Sequence, residues 1–275
     1  MNIGAIIVAT VVVAAVGLFI GIFLGVAGKK FAVETDEKEV AVREALPGNN
    51  CGGCGFPGCD GFADAVVSGN AKPNGCLVCS AENAAKIGEI MGMAVETGAR
   101  KVARVICQGG NGVCGNKGEY KGAMDCRSAA IVAGGFRNCS VACLGLGTCA
   151  SVCKFGAISV GEDGVAKVNE KLCVGCGACV ENCPVHSIML VPEDAEAYVM
   201  CHNPGMGKPV MSVCSNGCIG CKLCAKTCPN GAIEIVNNLP VFDYSKCTGC
   251  GLCASKCRPG AIVFTGTAAE EKPVA

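Results

Sequence analysis

Three cysteine runs dominate the second half of the chain. Each has the spacing Cys-x2-Cys-x2-Cys-x3-Cys, and the runs begin at Cys173, Cys218 and Cys247. This spacing brings three thiolates of a short loop to one cubane iron–sulfur cluster, while the fourth thiolate binds a neighbouring cluster. The runs therefore predict paired [4Fe-4S] clusters that exchange one ligand. The chemistry such clusters support is one-electron transfer.

Two other uses of cysteine fit this spacing less well. Structural zinc sites are tetrahedral and take two separated ligand pairs, which leaves the third and fourth cysteine of each run without a role. A disulfide framework would suit a count of 26 cysteines in 275 residues, but such frameworks are typical of short secreted chains. The length, the regular spacing and the absence of a recognisable cleavable signal favour clusters.

The cysteine pattern also occurs twice along the chain. Five cysteines have an equivalent 75 residues later, so that Cys126, Cys139, Cys143, Cys149 and Cys153 match Cys201, Cys214, Cys218, Cys224 and Cys228. The run that begins at Cys173 matches the run at Cys247 with an offset of 74. A two-cluster unit is therefore duplicated. Each module ends in a short phrase with an isoleucine, and we expect these isoleucines on the cluster side of short strand pairs.

The repeat exposes a missing ligand in the first unit. Leu146 stands where the second unit has Cys221. Either Cys139, just before Cys143, replaces the missing thiolate, or the site holds a three-iron cluster. We favour Cys139, although Cys214 holds the same place in a unit that lacks no ligand.

Exchange of the fourth ligand then assigns four clusters to the two units. In the first unit, Cys139, Cys143 and Cys149 join Cys183, and Cys173, Cys176 and Cys179 join Cys153. In the second unit, Cys218, Cys221 and Cys224 join Cys257, and Cys247, Cys250 and Cys253 join Cys228. Four further cysteines could enclose another cluster at the junction of the units, namely Cys107, Cys126, Cys201 and Cys214. The alternative is that these four are buried free thiols.

The elements that must position these cysteines begin with an uncharged segment. Residues 3–27 carry no charge, and this length exceeds the roughly 20 residues that a helix needs to cross a bilayer. Lys29 and Lys30 follow directly, so the positive-inside rule places the amino terminus outside and the cysteines in the reducing cytoplasm. We therefore expect a single-pass anchor in the cytoplasmic membrane.

A different cysteine module follows a charged stalk at residues 31–44. Its sequence is Leu46-Pro-Gly-Asn-Asn-Cys51-Gly-Gly-Cys54-Gly-Phe-Pro-Gly-Cys59, and Cys76 follows. Glycines between the thiolates allow backbone amides to approach cluster sulfurs. Short helices are predicted at residues 60–68 and 81–93, the second with Ser80 as its N-cap. Together these features predict a small α-helical domain.

The uncharged anchor, this glycine-rich cysteine module and the later runs together resemble the B subunits of Rnf-type membrane complexes. These complexes are ferredoxin:NAD oxidoreductases that couple electron transfer to ion translocation. The resemblance covers nearly the whole chain. It implies that Cys51, Cys54, Cys59 and Cys76 bind one [4Fe-4S] cluster, which makes five clusters, or six with the junction. A departure from the family pattern follows Cys76, because Cys79 adds a further thiol there.

The resemblance also implies a role and partners. The chain would accept electrons from soluble reduced ferredoxin and pass them to flavin-bearing and membrane subunits, while NAD is reduced elsewhere and Na⁺ or H⁺ is moved. No G-x-G-x-x-G fingerprint, P-loop or Ser/His/Asp set is visible in the sequence, so we expect no complete active site on this chain. With 23 basic and 23 acidic residues, it has no nucleic-acid footprint. The alternatives are a polyferredoxin of a hydrogenase or quinone reductase, a redox sensor and a zinc scaffold.

These inferences define an expected α+β architecture. It consists of one transmembrane helix, a small α-helical 4Fe-4S domain and duplicated two-cluster ferredoxin-like modules. The expected segments are an anchor at 1–28, a stalk at 29–46, the 4Fe-4S domain at 47–95, a connector at 96–138, a first unit at 139–195, a second unit at 196–265 and a disordered tail at 266–275.

Overall fold

A single long helix begins the part of the chain that the structure describes. The structure is a computed structural model, and it describes residues 3–30, 36–95 and 99–266. Helix α1 spans Ile3–Lys30, and none of its segment Thr10–Gly28 is buried inside the protein. By length and composition this segment is able to cross a membrane. The expected tail, beyond residue 266, lies outside the described residues.

Three helices form a separate small core after α1. They are α2 (Glu37–Ala45), α3 (Gly58–Val67) and α4 (Ala81–Met91). Val42, Phe62 and Ile87 are fully buried where the helices meet. The Asp36 and Ser80 side chains accept hydrogen bonds from backbone amides at the starts of α2 and α4, so both helices begin at side-chain caps.

Helix α2 is part of this core, although the sequence analysis assigns its residues to a stalk. Val42 and Leu46 are spaced by one helical turn, and both are buried in the core. Arg43 pairs with Asp60 of α3 at 2.5 Å. Helix α2 is therefore amphipathic, with Val42 and Leu46 on its inner face.

The rest of the chain contains eight short strands. They are β1 (Lys101–Val105), β2 (Ile158–Val160), β3 (Ala166–Val168), β4 (Ile188–Pro192), β5 (Ala197–Val199), β6 (Ile233–Val236), β7 (Leu239–Phe242) and β8 (Ile262–Phe264). All pairs are antiparallel: β1 with β4, β2 with β3, β5 with β8, and β6 with β7. The same arrangement, a hairpin between two outer strands, therefore occurs twice in the described chain.

Strand β1 lies in the segment expected to be a connector. It supplies the outer strand of the first half, with Val105 opposite Ile188. The strand ends two residues before Cys107. As a result, Cys107 is held at the end of a paired strand and not in a loose linker.

Six short helices complete the fold. They are α5 (Cys126–Ile131), α6 (Thr148–Ser151), α7 (Ala178–Glu181), α8 (Lys208–Met211), α9 (Leu223–Thr227) and α10 (Leu252–Ser255). Four of them, α6, α7, α9 and α10, begin after a residue with left-handed backbone and carry a buried cysteine in their single turn. The sharp turn and the helix together bring the cysteines of each run to one place.

The isoleucines that end each module are buried as the sequence predicts. Ile158, Ile188, Ile233 and Ile262 each begin a strand and are at most 8% exposed. Ile158, Ile188 and Ile233 line cavities that also contain cysteines. The strand pairs therefore provide apolar walls beside the thiols.

Candidate iron–sulfur sites

The cysteines of the small helical domain surround one cavity, which we call site I. Cys51, Cys54, Cys59 and Cys76 line a space of about 340 Å³. The loop is held in place by Asn50, whose Oδ1 accepts a hydrogen bond of 2.7 Å from the Cys59 amide. Gly58 has φ of +94°, and a side chain there would press on Asn50. The four cysteines implied by the family resemblance are therefore together.

Cys79 lies beside site I but does not line the cavity. A side-chain hydrogen bond with Cys79 lowers the pKa of the Cys76 thiol to about 6. Cys79 therefore interacts directly with Cys76, one of the four thiols that line site I.

Site II is formed by Cys153, Cys173, Cys176 and Cys179, which line a cavity of about 310 Å³. Cys153 comes from the preceding module, as the ligand-exchange rule predicts. Backbone amides donate to two of the sulfurs: Ala103 to Cys173 and Ala157 to Cys153, both at 3.3 Å. The first of these donors belongs to β1, which explains why the strand matters to the site.

Two further sites occupy the second half. Cys228, Cys247, Cys250 and Cys253 line site VI, a cavity of about 340 Å³. Cys257 lies within electrostatic range of Cys218 and Cys224, and Cys221 of Cys224, so these four define site V. Both groupings follow the exchange of the fourth ligand.

Site III differs from the sequence expectation in one ligand. Its cavity of about 350 Å³ is lined by Cys126, Cys143, Cys149 and Cys183. Cys139, which the sequence analysis assigns here, lines another cavity. Cys126 supplies the fourth thiol of this cavity, and Leu146 packs against the buried cluster formed by Cys126, Ala129 and Leu144.

Local hydrogen bonds explain why Cys126 reaches site III. Asp125 caps helix α5, and the Cys126 amide donates to Thr148 Oγ1 at 2.8 Å. Thr148 begins α6, the helix that carries Cys149. This bond ties the start of α5 to the cysteine loop, although 22 residues separate the two in sequence.

Site IV lies between the two halves and contains five thiols. Cys107, Cys114, Cys139, Cys201 and Cys214 line a cavity of about 340 Å³. Cys114 and Cys214 face each other in an isolated antiparallel bridge. Three of the four cysteines that the sequence assigns to the junction are present, and Cys139 takes the place of Cys126. The sequence analysis does not assign Cys114, since no spacing marks it.

Backbone and side-chain donors point at the sulfurs of site IV. The amides of Gly109 and Cys143 both donate to Cys107 Sγ at 3.3 Å. The Cys218 amide donates to Cys201 Sγ at 3.2 Å, and Asn203 Nδ2 donates to Cys139 Sγ at 3.4 Å. Because Cys143 and Cys218 belong to the groups of thiols at sites III and V, site IV is in direct contact with a site in each half.

The donor sets fit [4Fe-4S] clusters. Each cavity has thiol donors, aliphatic or glycine walls and amides directed at sulfur, which is the environment that holds these clusters and sets their potential. Among residues 3–30, 36–95 and 99–266, no three cysteine, histidine or acidic side chains converge closely enough for a single metal ion.

Burial affects the protonation of the free thiols. It raises the pKa of Cys107 and Cys179 to about 12 and that of Cys149 to about 11. These three thiols are therefore protonated near neutral pH, and ligation of iron by any of them must release its proton.

Comparison with known proteins agrees with this picture. A family model for an Fe-S cluster matches residues 46–78, and a 4Fe-4S dicluster domain matches residues 172–232 and 217–261. The chain is 49% identical over 242 residues, 88% of this chain and 73% of the relative, to the B subunit of the Na⁺-translocating ferredoxin:NAD⁺ oxidoreductase complex of Acetobacterium woodii.

Two other relatives are similar over comparable lengths. The B subunit of the ion-translocating oxidoreductase complex of Methanosarcina acetivorans is 40% identical, over 86% of this chain and 89% of the relative. The B subunit of the proton-translocating ferredoxin:NAD⁺ oxidoreductase complex of Clostridium ljungdahlii is 37% identical, over 86% of this chain and 83% of the relative. These matches confirm the resemblance inferred from the sequence, and the chain belongs to the family formed by the B subunits of ion-translocating oxidoreductase (Rnf) complexes.

Proposed function

We propose that this chain is the membrane-anchored subunit that takes electrons from reduced ferredoxin and delivers them into an Rnf-type complex. In that complex, ferredoxin oxidation and NAD reduction drive the translocation of Na⁺ or H⁺. The observation that carries the proposal is a succession of cysteine-lined cavities in a chain whose relatives are named as subunits of such complexes. Clusters bound there supply one-electron transfer.

The proposed ligands follow the sites described above. Sites I, II, V and VI take the sets expected from the sequence. Site III takes Cys126 in place of Cys139, which gives it four thiolates and removes the need for a three-iron cluster. Site IV makes a sixth centre, so the proposed complement is six [4Fe-4S] clusters in two ferredoxin-like units and a helical domain.

Four of the five thiols of site IV are needed. Cys107 and Cys201 hold matching places in the structure, since each accepts an amide hydrogen bond from the first cysteine of a matching loop, Cys143 or Cys218. The 75-residue repeat pairs Cys201 with Cys126 instead. Cys139 and Cys214 are equivalent in the repeat. These two pairs are the proposed ligands of site IV, and Cys114 is the spare thiol.

The protein contributes the environment of each cluster. Amides directed at Cys107, Cys173 and Cys201 stabilise negative charge on sulfur and therefore raise the reduction potential. Aliphatic walls exclude water from the same sulfurs. Site IV contacts sites III and V through these backbone donors, so it would join the two halves into one path.

Iron analysis of the anaerobically purified full chain tests the cofactor part of the proposal. We expect about 24 irons with matching sulfide, four for each cubane, and electron paramagnetic resonance signals of reduced [4Fe-4S] centres. Stoichiometric zinc without sulfide would refute it. Co-purification with a hydrogenase or a quinone reductase, in place of flavin-bearing and membrane Rnf subunits, would assign the chain to another complex.

The anchor is tested separately. We propose that α1 crosses the cytoplasmic membrane with Lys29 and Lys30 on the cytoplasmic side. The chain should then remain in membranes washed with alkaline carbonate. Protease added outside intact spheroplasts should leave the cluster domains uncut. Cleavage of those domains would show that they lie outside the cell, which is the opposite orientation.

A further inference from the structure

The two most exposed cysteines both lie in the second half of the chain. Cys221 of site V and Cys250 of site VI are exposed, whereas the other 24 of the 26 cysteines are buried or half-buried. Each exposed cysteine is the second cysteine of its loop. Clusters at these two sites would therefore lie nearest to the surface and to an external partner.

This half is also basic, although the chain as a whole has no net charge. Residues 196–266 contain three acidic side chains, Glu196, Glu234 and Asp243, against six basic ones, Lys208, Lys222, Lys226, Lys246, Lys256 and Arg258. Lys246 is paired with Asp243 at 2.8 Å. Lys222, Lys226, Lys256 and Arg258 form no ion pair with any residue that the structure describes, and all four are exposed.

All four cations lie within two residues of a site V cysteine in the sequence. Lys222 directly follows Cys221, and Lys256 and Arg258 stand on either side of Cys257. The Lys226 amide bonds to the Lys222 carbonyl, so the two lysines are one helical turn apart. The acidic groups of this half lie elsewhere: Glu196 against the Gly249 loop of site VI, and Glu234 and Asp243 beside Lys246.

Lys222 occupies a backbone position that the other modules give to glycine. The residue before the cysteine helix is Gly147, Gly177 or Gly251 in three modules, with φ between +72° and +80°. In site V the same position is Lys222, with φ of +62°. A left-handed lysine is strained compared with glycine. Such strain is concentrated at functional sites, and here it places a charge next to the exposed cysteine.

Two exposed leucines complete the surface. Leu223 of α9 and Leu252 of α10 are 40% and 43% exposed, and the two helices pack together. Interfaces of transient protein complexes commonly have a small apolar centre with charged residues around it.

We propose that this surface, defined by Lys222, Lys226, Lys256, Arg258, Leu223 and Leu252, docks the acidic face of reduced ferredoxin. The inference rests on the proposed function, because it names the place where the electron donor of that function binds. Each encounter moves one electron from the reduced ferredoxin to this chain, and no other reactant is consumed. Site V would then be the entry point.

The variant Lys222→Gly with Lys226→Gln tests the surface. Glycine at 222 is the residue that the other three modules already use, so folding and iron content should not change. Stopped-flow mixing with a pre-reduced bacterial two-cluster ferredoxin measures the second-order rate of chain reduction. At low salt we expect that rate to fall about tenfold, because electrostatic steering is lost. At about 1 M salt, where the screening length is about 3 Å, the variant and the wild type should agree.

A matched control changes two exposed lysines of the helical domain, Lys38→Gln and Lys72→Gln. We expect this control to be reduced by ferredoxin at the wild-type rate. A titration at low salt measures the binding of oxidised ferredoxin, and this binding should weaken only in the Lys222→Gly, Lys226→Gln variant. Equal rates and equal binding for all three proteins would overturn the docking surface. If only the control variant is reduced more slowly, electrons enter at site I, and the docking proposal is refuted.

Failure of the proposed function gives a different result. In that case dithionite reduces the wild-type chain but ferredoxin does not, at any salt concentration. Loss of binding to anionic lipid vesicles by the Lys222 variant, with ferredoxin reduction unchanged, would identify the surface as a lipid contact and refute the docking proposal.

Discussion

A ligand can be supplied from a different part of the chain while the geometry of its site is kept. Site III lacks a cysteine where Leu146 stands, and Cys126 fills the gap from the start of α5. The Asp125 cap and the bond to Thr148 hold Cys126 in position. The fourth cysteine of site III is therefore identified by its contacts in the folded protein and not by its spacing from the other cysteines in the sequence.

The substitution Cys126→Ser should remove the cluster of site III. We expect iron to fall by about four per chain. The second change Leu146→Cys should restore it, because position 146 matches Cys221 of the second unit and Leu146 packs in the same apolar cluster as Cys126. Iron and sulfide analysis with electron paramagnetic resonance checks both results. Cys79→Ser, which removes a thiol that lines no cavity, is the control and should keep all the iron. Full iron content in Cys126→Ser would exclude Cys126 as a ligand.

Site IV offers a choice between two cysteines at the residue scale. Cys107 Sγ accepts two amide hydrogen bonds, whereas the Cys114 thiol is directed to the Gly115 carbonyl at 3.6 Å. We expect Cys107→Ser to lose about four irons and Cys114→Ser to lose none. The reverse result would make Cys114 the fourth ligand and Cys107 the spare thiol.

The sequence predicts the regular parts of these sites and misses the irregular ones. Cys173, Cys218 and Cys247 begin runs whose spacing alone brings their ligands together, and the exchange of Cys153 and Cys183 follows the same rule. The sequence places Cys139 at site III and Cys126 at the junction, whereas in the structure each lines the other's cavity. Nearness in sequence to Cys143 favours Cys139, but a helix cap and a tertiary hydrogen bond hold Cys126 at site III. Cys114 is missed because only its bridge to Cys214 brings it to the junction.

At the scale of elements, the helical domain meets the first half at a close backbone contact. A Cβ atom at Gly53 would lie 2.5 Å from the Cys176 carbonyl oxygen. Lys154 Nζ also donates to the Asn50 carbonyl at 3.0 Å. The loops of sites I and II therefore touch, and the contact depends on glycine.

The substitution Gly53→Ala should separate these two loops. The added methyl group cannot fit at that distance, and overpacking of this kind costs typically about 1–3 kcal/mol. We expect faster backbone hydrogen exchange near Cys176 and Lys154 in anaerobic samples. Gly118→Ala is the matched control, since a Cβ there meets no atom within 4 Å. Unchanged exchange in Gly53→Ala would show that the loops have room to adjust.

Helices and strands are predicted from the sequence where the local sequence pattern is strong. The uncharged run predicts α1, and Ser80 and the apolar spacing predict α4. The segments at 29–46 and 96–138 carry no cysteine run and many charges or glycines, so they read as a linker and a connector. In the structure, burial of Val42 and the pairing of β1 with β4 draw both segments into cores.

At the scale of the whole molecule, a buried arginine joins the two halves. Arg104 of β1 pairs with Glu170 at 3.0 Å and donates to the Ala195 carbonyl at 2.7 Å. Its guanidinium lies 4.3 Å from the centre of the Tyr198 ring. Arg104 is only 4% exposed, so these contacts replace its hydration.

The substitution Arg104→Met should weaken the junction of the halves. Hydrogen bonds to a charged group contribute about 1.5–3 kcal/mol each, so we expect a loss of a few kcal/mol in unfolding free energy, seen as faster cluster loss on heating. Lys167→Met is the control. Its pair with Asp163 at 3.2 Å is exposed, and such pairs contribute about 0–1 kcal/mol. Equal rates of cluster loss for both variants would show that Arg104 does not stabilise the junction of the two halves.

The exchange of ligands between modules has a consequence for how the protein is made. Cys153 lines site II and Cys183 lines site III, so neither site is complete until the second of the two modules has been synthesised. Site IV takes thiols from residues as far apart as Cys107 and Cys214. Insertion of iron should therefore be cooperative and follow synthesis. A cell that is short of iron should accumulate empty and full molecules with few in between, a distribution that native mass spectrometry would resolve.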